Sequence, residues 1–166
     1  NQLEKPIPRL PLDYLPDAGD PFEANTEASA ESVIVSLDRP ETQALLQEVP
    51  TAYHTEISDV LLTALVQALG GWIGEPAAQI ALEGHGRSDL AGDGVRPDVD
   101  LSRSVGWFTT LYPVHLELEE ATGPGQALMA IKEQLRAVPR HGLGYGLLRY
   151  LDPDERLVAR LKVAPK

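Results

Sequence analysis

The chain has 166 residues, 43% hydrophobic and 23% charged, the balance of an ordinary globular domain rather than a disordered chain, a coiled coil or collagen. Twenty-five acids against 14 bases give a net charge of −11, which argues against general nucleic-acid or anionic-membrane binding. With no cysteine, disulfides, thiolate metal sites and a cysteine nucleophile are excluded.

Residues 1–30 read as a connector. Pro6, Pro8, Pro11, Pro16 and Pro21 punctuate them, and Ala24 to Ala30 is small, polar and without period. Asn1 to Leu10 carries no basic-then-apolar leader, and no run reaches the roughly eighteen apolar residues of a membrane helix. The expected compartment is the cytoplasm.

Regular structure is expected from Ser32, where Val33, Val35 and Leu37 alternate with Ser32, Ile34 and Ser36 as a strand does. Asp38, Pro40 and Glu41 have the spacing of a helix start, and Leu45, Leu46 and Val49 supply that helix's apolar face. A longer helix is predicted from Ser58 or Asp59. Leu61, Leu65, Leu69 and Trp72 form its stripe, and Gly74 with Pro76 ends it. Ala78 to Glu83 alternates as a second strand, Gly84 to Leu101 reads as loop, and Leu111 to Leu118 is a third strand whose Pro113 belongs at an edge. Pro124 opens a helix with the stripe Leu128, Ile131, Leu135 and Val138. Gly142, Gly144 and Gly146 suggest a tight turn, and Asp152 to Glu155 a last helix start. The order gives an α/β fold with a small mixed sheet packed against helices. Residues 128–166 carry eight bases against four acids. That basic end reads as solvated helix faces, with an acidic partner protein as the alternative.

Two clusters can carry chemistry. Glu83-Gly84-His85-Gly86-Arg87 lies where a strand runs out into a loop, the place where α/β sheets gather their sites. A carboxylate there is a candidate general base, and flanking glycines allow close backbone approach. A surface loop with a Glu83–Arg87 salt bridge is the plainer reading, and His85 serves either to orient the loop or to move protons. The second cluster, Arg103 to Pro113, holds Trp107 and Phe108 as core anchors or, alternatively, a tunnel wall on which Thr109, Thr110 and Tyr112 offer hydroxyls. The four histidines lack metal-motif spacing, no Gly-x-Ser-x-Gly elbow exists, and Gly142 to Gly146 lacks the lysine of a phosphate loop.

Four stretches together resemble the epimerization domains of nonribosomal peptide synthetases, within the condensation-domain superfamily. They are Asp59-Val60-Leu61-Leu62-Thr63-Ala64, Glu83 to Arg87, Arg103 to Pro113, and Pro139-Arg140-His141-Gly142-Leu143-Gly144-Tyr145-Gly146. They occur in the family's order and roughly its spacing, over about residues 30–166. Ser88 stands where the family signature usually has a second acid. The family's His-His-x-x-x-Asp-Gly string and its Phe-Asn-Tyr-Leu-Gly segment do not occur in this sequence.

The resemblance implies a chloramphenicol-acetyltransferase-like lobe. Residues 1–30 would be the inter-lobe connector and 31–166 the C-terminal lobe of a two-lobed domain, inactive alone. It implies L-to-D inversion at the α-carbon of an aminoacyl or peptidyl thioester by deprotonation and reprotonation. Glu83 would be catalytic, and His85, Arg87, Trp107, Thr109 and Tyr112 would bind substrate. No metal or intrinsic cofactor is implied, since the phosphopantetheine arm comes with a peptidyl carrier protein. The other expected partner is the N-terminal lobe bearing the His-His motif. A condensation-type or degenerate carrier-docking lobe without epimerase activity is the alternative.

Overall fold

The computed structural model describes residues 10–11, 26–86, 103–118 and 123–161. Most of the expected connector and Arg87 lie outside them.

After a single 3-10 turn at Glu27–Ser29, Ser32 to Leu37 forms no ladder. Val33, Ile34 and Val35 are 93%, 87% and 87% exposed. Two of the three expected strands are therefore present among the described residues. The alternation at Ser32 to Leu37 encodes β propensity, but a strand also needs an edge to pair with, and none lies beside it among the described residues.

Asp38 then starts a helix as its spacing predicts. Its carboxylate accepts the Glu41 amide at 2.8 Å, and Glu41 accepts the Asp38 amide at 2.9 Å, a reciprocal capping box. Helix α1 (Arg39–Gln43) runs through a π-helical stretch, Ala44–Glu48, into α2 (Val49–Tyr53). His54, in the left-handed conformation at φ 52°, ends α2. The chain turns there into α3 (Ile57–Ile73), where the Asp59 carboxylate accepts the Glu56 amide at 2.8 Å. Gly74 closes α3 at φ 81°, a conformation that glycine adopts without penalty. Among the described residues no single helix is long and apolar enough to cross a membrane.

Strands β1 (Ala77–His85) and β2 (Thr109–Glu117) pair antiparallel. Both extend beyond the expected bounds toward the loop that joins them, so Gly84 and His85 are strand rather than loop. Helix α4 (Pro124–Arg136) and a 3-10 turn (Pro139–Gly142) follow, then α5 (Leu143–Leu151) and α6 (Glu155–Leu161). The expected tight turn through Gly142, Gly144 and Gly146 is a correction: only Gly142 takes a positive φ, 78°, and the other two lie inside α5.

One face of the sheet and the helices above it make the core. Val66 of α3, Ala78, Val114 and Leu116 of the sheet, and Ile131 of α4 are all buried. Leu62, Leu69, Ile80, Leu82 and Tyr112 pack around them. Each large aliphatic side chain buried this way contributes about 1.5–3 kcal/mol. Lys132 is 5% exposed, and its Nζ donates to the Tyr53 carbonyl at 3.0 Å, tying α4 to the end of α2.

Candidate functional site

The antiparallel register decides which side chains share a face. Residues directly opposite project to the same side, and neighbours along a strand alternate. Glu83 pairs with Leu111 and His85 with Thr109. These four side chains therefore gather on one face at the end of the sheet where β1 leaves for the loop. Cβ atoms in such pairs stand about 5 Å apart. Glu83, His85 and Thr109 are all exposed, so the candidate general base is open to solvent on this chain. Among the described residues this face is exposed at Ala81, Glu83, His85, Thr109 and Leu111, and it becomes buried toward Ala77 and His115 at the far end of the sheet.

Gly86 shapes this end of the sheet. Its amide donates to the Phe108 carbonyl at 2.9 Å, extending the ladder one residue past His85. A Cβ at Gly86 would stand 2.5 Å from that carbonyl oxygen, so only glycine lets the two backbones meet. The second glycine of the Glu-Gly-His-Gly stretch is thus fixed by close approach.

Trp107 precedes β2 and is 90% exposed, whereas Phe108 is half-buried with its ring against Gly106. One of the two rings anchors and the other stands out beside Thr109. Tyr112 takes a different position from the rest of its cluster. It pairs with Leu82 on the core face, and its ring packs on Gly142. The register thus brings Glu83, His85 and Thr109 together, and it sets Tyr112 on the reverse side. Leu111, opposite Glu83 and 57% exposed, shares the site although its sequence context marked it only as strand. The parity of β2, counted from Thr109, is the signal that separates Leu111 from Tyr112.

This face offers a carboxylate, an imidazole, a hydroxyl and an aromatic ring at the rim of a sheet. It can remove a proton from a ligand laid across it and hold that ligand by hydrogen bonds. A group approaching from the opposite side has to come from elsewhere.

A family model described as Condensation domain matches residues 1–161. A linear gramicidin synthase of Brevibacillus parabrevis is 51% identical over 149 residues, 90% of this chain and 3% of that protein. Bacitracin synthase 2 of Bacillus licheniformis is 45% identical over 124 residues, 75% of this chain and 5% of that protein. The chain thus spans a few per cent of the length of these relatives. Among solved structures, the epimerization domain from the third module of tyrocidine synthetase B is similar. Its TM-score is 0.59 at 42% identity, over 69% of this chain and 24% of that one.

Proposed function

This chain belongs to the condensation-domain family, and we propose that it is one wall of an epimerization site in a nonribosomal peptide synthetase. The observation that carries this reading is Glu83, at the end of β1, on one face with His85 and Thr109, in a chain 42% identical to an epimerization domain.

The substrate is an aminoacyl or peptidyl thioester on the phosphopantetheine arm of a carrier protein. The thioester acidifies the α-proton, but carbon is still a slow acid, so a base must lie within hydrogen-bond reach. The Glu83 carboxylate takes the α-proton and leaves an enolate. A second acid–base group across the cleft returns a proton to the opposite face of the carbon, and in the reverse direction the two exchange roles. That second group comes from a complementary lobe bearing the His-His-x-x-x-Asp-Gly string. His85 and Arg87 hold Glu83 and the substrate in place, with Thr109 and Trp107 along the same rim. Tyr112 supports the rim from the core side. Donors aimed at the enolate oxygen contribute a few kcal/mol, of the order of 3. Solvent exposure of Glu83 fits a half-site that closes only when the second lobe and the carrier arm cover it.

The test is α-proton exchange on the carrier-bound thioester in the complete protein. Glu83→Gln is expected to lower exchange by at least about a hundredfold, the usual contribution of a general base. Wild-type exchange in that variant would refute the assignment. A condensation-type or degenerate docking lobe is the second reading, favoured by Ser88 in place of the second acid of the family signature. It predicts peptide-bond formation, or carrier binding alone, without stereochemical inversion.

A further inference from the structure

The face that carries Glu83 is built in rows of opposite residues, and the rows differ in height and polarity. From the loop end inward they are His85 with Thr109, Glu83 with Leu111, and Ala81 with Pro113. Successive rows lie two residues apart along the strands, roughly 6.6 Å. The bond from the Gly86 amide to the Phe108 carbonyl makes the even-numbered residues of β1 the hydrogen-bonded positions. The rows of this face are therefore non-hydrogen-bonded pairs, in which opposite side chains stand closest.

Glu83 and Leu111 mark the boundary between two unlike regions. On the loop side, His85 and Thr109 bring an imidazole and a hydroxyl. On the inner side, Ala81 and Pro113 bring a methyl group and a short ring, with no polar side-chain atom. Ala81 is exposed and Pro113 half-buried, so this low row is open from above. The next row, Gln79 with His115, stands higher and closes it. His115 is 3% exposed, and its Nε2 is hydrogen-bonded to Glu117 Oε1 at 3.0 Å, on the side away from Ala81. Glu117 is itself tied to α4. Gln134 Oε1 accepts its amide at 2.9 Å, and Gln134 Nε2 donates to its carbonyl at 2.8 Å. The result is a trough across the two strands. Its floor is Ala81 and Pro113, its near wall is Leu111 beside Glu83, and its end is held by His115.

Removal of the α-proton leaves a planar enolate. With Glu83 on one side of that plane, the other three substituents of the α-carbon spread parallel to the sheet. Two of them, the thioester carbonyl and the nitrogen, are polar and lose stability when buried without hydrogen-bond partners. The row of His85 and Thr109 supplies such partners. The third substituent, the side chain of the aminoacyl residue, then falls on the opposite side, over Ala81 and Pro113.

Granted the epimerization reading, on which this rests, we propose that the Ala81–Pro113 trough is the subsite for the side chain of the residue being inverted. Leu111, 57% exposed, is its selecting wall. The trough takes branched aliphatic and aromatic side chains in preference to polar ones. A leucyl or phenylalanyl side chain gains by leaving water for a carbon surface. A carboxamide of the same shape loses its water there and finds no side-chain partner on Ala81, Pro113 or Leu111.

The experiment measures α-proton exchange with deuterated solvent in the complete protein, on carrier-bound leucyl, phenylalanyl, alanyl and asparaginyl thioesters. Leucyl is expected to exceed asparaginyl at least about tenfold in kcat/KM, the discrimination an apolar pocket gives. Ala81→Leu fills the trough, so the leucyl-to-alanyl and phenylalanyl-to-alanyl ratios are expected to fall at least about tenfold. Ala81→Val, which suits a strand better, is expected to move both ratios the same way by less. Leu111→Asn is expected to bring asparaginyl to within about threefold of leucyl. Each ratio is taken within one variant. A variant that folds poorly or displaces Glu83 lowers all four thioesters together and leaves the ratios at wild-type values. Wild-type ratios in these variants, with exchange still lost in Glu83→Gln, would overturn the trough and leave the epimerization reading standing. So would a wild-type protein that treats leucyl and asparaginyl alike. Absence of exchange from every thioester in the wild-type protein, or exchange indifferent to Glu83→Gln, would instead remove the epimerization reading and the trough with it.

Discussion

Tyr112 lies with its ring in the space that any side chain at residue 142 would need: a Cβ built on Gly142 runs into the ring carbons. Gly142 also holds a φ of 78°. Two separate demands, conformational and steric, therefore fall on one position between the 3-10 turn and α5. Gly142→Ala is expected to destabilise the chain by about 2–4 kcal/mol, combining a left-handed backbone penalty with overpacking. Chemical denaturation of the purified chain reads this directly. Tyr112→Ala in the same background should recover the steric part and leave the conformational part, so the double variant should lie between wild type and Gly142→Ala plus the Tyr112 truncation cost.

Gly86→Ala should separate stability from activity. A Cβ there meets the Phe108 carbonyl oxygen, so the last ladder bond opens and the Glu83–His85 end of β1 shifts. The loss of stability is expected to be modest, about 1–2 kcal/mol, because the contact lies at a strand end. The loss of α-proton exchange in the complete protein is expected to be larger, at least tenfold, because small misplacements of a base are expensive in rate. Parallel melting and exchange assays check both.

Gln134→Leu keeps the shape of the side chain and removes both bonds to the Glu117 backbone. The expected cost is about 2 kcal/mol, roughly 1 kcal/mol per lost bond. Amide exchange at Glu117 should accelerate in step, since the Gln134 carboxamide is the acceptor of that N–H. Unchanged exchange at Glu117 would contradict the pairing.

Ile131 and Leu111 give a matched contrast between core and site. Ile131 is fully buried and Leu111 is 57% exposed. Ile131→Ala should cost about 3–4 kcal/mol, and Leu111→Ala should stay within about 0.5 kcal/mol. A large effect at Leu111 in the 166-residue chain would mean that this face is already covered.

Much of this arrangement was legible in the residues. Asp38 with Glu41, Gly74 and the stripes of α3 and α4 announced their elements, because capping and amphipathic periodicity are local properties. Alternation found β1 and β2 for the same reason. It failed at Ser32 to Leu37, where the pattern is equally good but pairing depends on a partner the pattern does not name. Gly144 and Gly146 suggested a turn, yet α5 runs through them. Contact of α5 with β2 and α6 outweighs the penalty of about 1 kcal/mol per helical glycine. At the site, the motif singled out Glu83, His85 and Tyr112 alike. Only the pairing register, a long-range fact, separates the face that holds the first two from the face that holds the third.

Lys132 and Arg136 stand one helical turn apart on α4, and both reach the end of α2. Lys132 donates to the Tyr53 carbonyl at 3.0 Å and Arg136 to the His54 carbonyl at 3.4 Å. With the Tyr53 ring against Gly125 and the contacts of Ala44–Glu48 with α3, these two cations hold the segment from Asp38 to Tyr53 to the rest of the chain. Under a stretching load applied through Ser32, these few contacts are expected to part before the nine-pair ladder of β1 and β2. The first mechanical event is then release of a short helical arm, while the sheet that bears Glu83 stays whole.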